Sequence, residues 1–80
     1  MNKLLKLVDV EKTIGFKKSA IYNLVSDGLF PPPVKFGKSS FWPDYEVERM
    51  VSAIIANTSE EQIKKLVVEI TDERKIAAIN

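Results

Sequence analysis

Three consecutive prolines, Pro31-Pro32-Pro33, sit near the middle of an 80-residue chain and constrain its fold more than any other feature. Each lacks a backbone N–H and has its φ fixed, so residues 31 to 33 belong to neither a helix nor a central strand. With Leu29 and Phe30 ahead of them they form a rigid extended strap. A chain this short buries only about 60% of its unfolded surface and has core enough for one small domain. The strap therefore joins two parts of one fold. At 45% hydrophobic and 29% charged residues, the composition is that of a folded globular protein rather than a disordered or collagen-like one.

Ahead of the strap, Leu7, Val10 and Ile14 recur at helical spacing, and Asp9 and Glu11 suit the positive end of a helix dipole. This predicts a short helix from Leu7 to Ile14, stopped by Gly15 in the left-handed conformation, with Phe16 as the hydrophobic plug before the next helix. A second helix is expected from about Lys18 to Asp27, ending at Gly28. Ala20, Ile21, Leu24 and Val25 fall on its apolar side, with Ser19, Tyr22, Asn23 and Ser26 opposite. Two short helices joined by a glycine-containing turn describe a helix-turn-helix. The polar side carries a phenol, an amide and two serines flanked by Lys17 and Lys18, groups that reach base edges and phosphates.

Beyond the strap, Val34-Lys35-Phe36 and Ser40-Phe41-Trp42 alternate as strands around a Gly37-Lys38-Ser39 turn, a small hairpin. Val34 and Phe36 share one face and Lys35 points the other way. Lys38 at the tip, with Ser39 and Ser40 beside it, offers charge and hydroxyls to a phosphate backbone. Pro43 and Asp44 open a third helix, in which Val47, Met50, Val51, Ile54 and Ile55 form an apolar stripe expected to be core. Asn57 ends it. Thr58 with Glu61 makes a capping box, and Ser59 with Gln62 a second candidate pair. A fourth helix follows with Ile63, Leu66, Val67 and Ile70 on one side. Residues 71 to 74 either continue it or cap a last short helix carrying Ile76, Ala77 and Ile79. The division expected is a domain over residues 1–57 and a helical extension over residues 58–80, which either closes the core or associates with another copy.

With no cysteine and no histidine, disulfides, thiolate nucleophiles, Cys-ligated zinc and the commonest general base are excluded. Neither an enzyme nor a cofactor or metal is expected. The acidic run Asp44, Glu46 and Glu48 reads as helix-start charge, since residues two apart do not share a helix face. No apolar stretch approaches the roughly 18 residues of a membrane span, and the start shows no export signal, so a cytoplasmic location is expected. Charge is unevenly divided: residues 1–42 hold seven lysines against three acids, a net of +4, and residues 43–80 hold five bases against eight acids, a net of −3. All seven aromatic residues lie between positions 16 and 45. A basic, aromatic front half is what a polyanion-binding surface produces.

The order Leu7-Val8-Asp9-Val10, Gly15-Phe16-Lys17-Lys18-Ser19-Ala20-Ile21-Tyr22, Phe30-Pro31-Pro32-Pro33-Val34-Lys35-Phe36-Gly37, then Trp42 before an acidic amphipathic helix, resembles the AlpA family of small phage and prophage regulators. The likeness covers roughly residues 5 to 55. It implies a mainly α fold with a small β-hairpin wing, the MerR-like winged helix-turn-helix shared with many excisionases; the extra C-terminal helix or helices read from the residues themselves lie beyond it. It also implies double-stranded DNA as partner, in transcriptional regulation or as a recombination directionality factor, and an integrase as a further candidate partner. Carried over by position, Lys18, Ser19, Tyr22 and Asn23 lie on the recognition helix and Lys35 and Lys38 on the wing. Lys17, Ser26, Ser39 and Ser40 complete the DNA-binding set expected from the residues themselves. Phe41 stands where the family has a small or basic residue, which suggests an exposed wing aromatic or a contact to a neighbouring copy. Homo-oligomers or cooperative binding on repeated sites are expected, and nucleoid association when DNA is bound. The competing reading is an antitoxin-like or adaptor-like protein-interaction module. There Phe41, the triple proline and the C-terminal apolar stripe form the working surface and DNA is not touched.

Overall fold

The computed structural model describes residues 3–79, with side chains described to residue 76. Met1, Asn2 and the side chains of Ala77 and Ile79 lie outside that range. The elements run β1 (Leu4–Lys6), α1 (Leu7–Ile14), α2 (Lys18–Ser26), β2 (Val34–Phe36), β3 (Ser39–Pro43), α3 (Asp44–Ile55) and α4 (Glu60–Ile79). The three strands form an antiparallel sheet in the order β1-β3-β2. Two helices across a glycine turn, followed by a hairpin whose second strand runs into another helix, make a winged helix-turn-helix, as the family resemblance implies.

Local chemistry sets most boundaries. α1 begins where the Asp9 carboxylate accepts from the Lys6 amide at 3.2 Å, and ends at Gly15, whose φ of 77° lets its amide donate back to the Glu11 carbonyl. α3 is followed by Asn57 at φ 58°. Ser59 caps α4 by accepting from the Gln62 amide at 3.3 Å. The second candidate pair is thus the one with a capping bond, and α4 then runs unbroken through residues 71–74 to Ile79.

β1 is not foreshadowed by any period in the sequence, because three residues are too few to show one. Its ladder to β3 pairs Leu5 with Trp42, and Lys3 and Asp44 lock its start: the Asp44 amide donates to the Lys3 carbonyl at 2.8 Å and the Lys3 amide to the Asp44 carboxylate at 3.2 Å.

The core draws on every helix, the strap and the central strand: Val10, Ile21, Phe30, Trp42, Val47, Met50, Ile63, Val67 and Ile70 are buried together. Trp42 is its centre. The indole lies 6.3 Å from the Tyr22 ring and 6.1 Å from the Phe30 ring, both tilted, and its Nε1–H donates to the Pro31 carbonyl at 2.8 Å. A second tie is ionic. Glu46, 1% exposed, accepts both Nε and Nη2 of Arg74 at 2.7 and 2.5 Å, and Nη2 also donates to the Pro32 carbonyl at 2.9 Å. One guanidinium thereby joins α4 to α3 and to the strap.

Four expectations are corrected. The apolar stripe of α3 is core only at Val47 and Met50; Val51 is half-buried, while Ile54 and Ile55 are 46% and 79% exposed because the last turn is left uncovered. On α2, Ile21 is fully buried but Ala20, in the first turn, is exposed. Phe16 is 42% exposed and lies along a surface groove rather than plugging the turn. On the wing the exposed aromatic is Phe36, at 78%, whereas Phe41 is half-buried.

Candidate nucleic-acid interface

α2 presents the expected polar face. Ser19, Asn23 and Ser26 recur at spacings of four and three and all are exposed, as are Lys17 and Lys18 at the helix start. Lys17 is the N-cap residue in extended conformation, its side chain makes no capping bond, and the first turn contains no acid. The positive end of the helix dipole is therefore unneutralised and flanked by two ammonium groups, an arrangement that attracts a phosphate. Tyr22 departs from the expected role. It is half-buried, its ring turned onto Trp42, so it buttresses the helix against the wing.

The wing has a tighter turn than the sequence suggests. Ser39 belongs to β3 and pairs with Phe36, leaving Gly37 and Lys38 as a two-residue connection. Gly37 takes φ 62°, the positive value that the first central residue of such a turn requires. Register then sorts the wing side chains by face. Lys35 pairs with Ser40, and Ser40 is two residues from Trp42, so these three project to one side, the side on which Trp42 meets Tyr22 of α2. Val34 pairs with Phe41 and Phe36 with Ser39, and these four project to the other side.

The fold thus brings Lys35 and Ser40 to the α2 side of the wing and sets Lys38 at the tip, but it separates Ser39 from Ser40. Lys35, Lys38 and Ser39 are exposed and Ser40 is half-buried. Among the described residues the salt bridges are Arg49–Glu73 and Glu46–Arg74, so none engages a lysine. The cations of α2 and the wing have no carboxylate partner to displace before meeting a polyanion.

Two features escaped the sequence reading. One is Phe36, whose alternation with Val34 looks the same whether that face is buried or bare. The other is an apolar groove of about 180 Å³ lined by Thr13, Ile14, Phe16, Val51, Ile54 and Ile55. Its one signal in the sequence is a helical stripe longer than a small core can cover. Among the described residues no helix is long and apolar enough to cross a membrane.

In comparison with known proteins, a family described as prophage CP4-57 regulatory protein (AlpA) matches residues 3–53. No curated protein and no solved structure matches.

Proposed function

The chain belongs to the AlpA family of prophage regulatory proteins, and from that premise we propose that it is a sequence-specific double-stranded-DNA-binding regulator of a phage or mobile element. α2 enters the major groove with Ser19, Asn23 and Ser26 toward the bases. Lys17 and Lys18 hold phosphate at the helix start, and Lys35, Lys38 and Ser40 hold the adjacent backbone or minor groove. The observation that supports this best is the uncapped, acid-free N-terminus of α2, with its unpaired lysines, beside a wing whose Lys35 projects to the same side. The output is control of transcription or of excision, exerted on the DNA of the cytoplasm.

The test is fluorescence anisotropy of a labelled duplex of about 30 base pairs, titrated at low and near-physiological salt. Non-specific affinity is expected at roughly 10⁻⁴ to 10⁻⁶ M, weakening with salt, with a shallower salt slope for the Lys17/Lys18/Lys38 triple alanine variant. On a selected site, Asn23→Ala is expected to relax preference at one base pair by about 1–3 kcal/mol while leaving other positions unchanged. Absence of duplex binding at low salt overturns the reading.

A second reading rests on the Phe16–Ile54–Ile55 groove, because a rimmed apolar patch marks protein contact. It assigns the groove to a protein partner, either a neighbouring copy on repeated sites or an integrase. Of the residues the sequence offered for such a surface, Pro31 is buried, Pro33 and Phe41 are half-buried, Pro32 and Ile76 are exposed, and the side chains of Ala77 and Ile79 lie outside the described residues. Sedimentation velocity of wild type against Ile55→Lys decides self-association, which requires a larger species for wild type alone.

A further inference from the structure

Resting on the duplex-binding reading above, we infer that Phe36 is an apolar wedge: the wing carries its ring into the minor groove, where it inserts between two base pairs and unstacks them. Phe36 is 78% exposed, far beyond Phe16 at 42% and Tyr45 at 40%, and it is not among the residues packed against the core. Solvent exposure of a whole phenyl ring is unfavourable in the free protein, so a partner that covers it recovers that burial.

Its setting identifies the partner. Phe36 is the last residue of β2, preceded by Lys35 and followed by Gly37 and Lys38 at the hairpin tip. On its own face the ladder places Ser39 opposite it, and Lys6 pairs with Phe41 on the same face. Val34 and Phe41 continue that face on the side away from the tip, while toward the tip the ring is framed by the Ser39 hydroxyl and Lys38, with no carboxylate bridged to the lysines among the described residues. Protein interfaces are depleted in lysine. A groove walled by phosphates matches such a rim, and minor-groove proteins use apolar side chains flanked by cations to part base steps. The Phe16–Ile54–Ile55 groove lacks this lysine-framed tip and makes the contrast within one molecule.

The presentation is rigid. Phe36 is held by its pairing with Ser39 and by a two-residue turn locked at Gly37, so the ring stands on a ladder and not on a loop. Because it faces away from Lys35 and Ser40, it does not compete with the contacts assigned to the α2 side. The lysines hold the two backbones while the ring enters between them.

The experiment uses the full chain and an end-labelled duplex built from repeated TpA steps, the easiest to unstack, with 2-aminopurine replacing adenine in those steps. Wild type at saturation is expected to raise 2-aminopurine fluorescence and to shorten the end-to-end distance measured by energy transfer. Phe36→Leu, which keeps an apolar wedge, is expected to retain both signals. Phe36→Ser is expected to lose both, with an unchanged far-UV spectrum, an unchanged salt slope and an affinity loss of about tenfold at most, because the phosphate contacts remain. Wild-type unstacking and bending by Phe36→Ser overturns the wedge and leaves DNA binding standing. A wild-type oligomer that Phe36→Ser converts to monomer also overturns it, since the ring is then covered by a second copy. Failure of wild type to bind the duplex overturns the wedge together with the reading beneath it.

Discussion

Trp42 is the only tryptophan of the chain, and its ring touches Tyr22 of α2 on one side and Phe30 of the strap on the other. Replacing it with alanine is expected to cost about 3–5 kcal/mol, about half of the roughly 4–12 kcal/mol available to 80 residues. Urea unfolding followed by far-UV circular dichroism should therefore find the Trp42→Ala midpoint lowered to about half that of wild type. Arg74 offers a sharper contrast. Arg74→Ala leaves the Glu46 carboxylate buried without its partner and is expected to lose about 3 kcal/mol. Arg74→Lys restores the charge but cannot reproduce the fork that serves both carboxylate oxygens and the Pro32 carbonyl, so its midpoint should fall between the two. Of these roles, the sequence marks Trp42 as a hairpin residue and says nothing of the Glu46–Arg74 pair. Those two residues are 28 positions apart, and only packing brings them together.

At the scale of elements, local rules account for what was legible. α1 has the bounds that Leu7, Val10, Ile14 and Gly15 predict, and α2 begins at Lys18 as its amphipathic face requires. Both are set by contacts within a few residues. β1 and the bare end of α3 depend instead on what lies across from them, so Leu4-Leu5-Lys6 carries no strand period and Ile54-Ile55 continues a period that nothing covers. The start of α2 provides a test of competing demands on one residue. Lys17→Ser is expected to supply the missing N-cap and raise stability by about 1 kcal/mol, seen as a higher melting temperature. It should also weaken duplex binding and flatten the salt slope by the loss of one phosphate contact. A variant more stable and equally tight on DNA would remove Lys17 from the interface.

Across the whole molecule, α4 lies beyond the stretch that matches the family, residues 3–53, yet it supplies Ile63, Val67 and Ile70 to the shared core and Arg74 to the buried ion pair. We propose that residues 58–80 close the fold rather than append to it. A chain of residues 1–57 is expected to show little helical ellipticity and no cooperative melt, because its core is left open along α3; a cooperative transition in that fragment would assign α4 to association instead. Periodicity, charge and breakers determined the helices, the strap, the hairpin and the basic polar face of α2 from the sequence by itself, because each is dictated by neighbours within a turn or a strand. Tertiary structure alone decided which apolar residues are covered: it buried Trp42 and Ile70, turned Tyr22 inward, and left Phe36, Ile54 and Ile55 in water. Burial depends on the element that arrives from elsewhere in the chain, and no local pattern encodes that arrival.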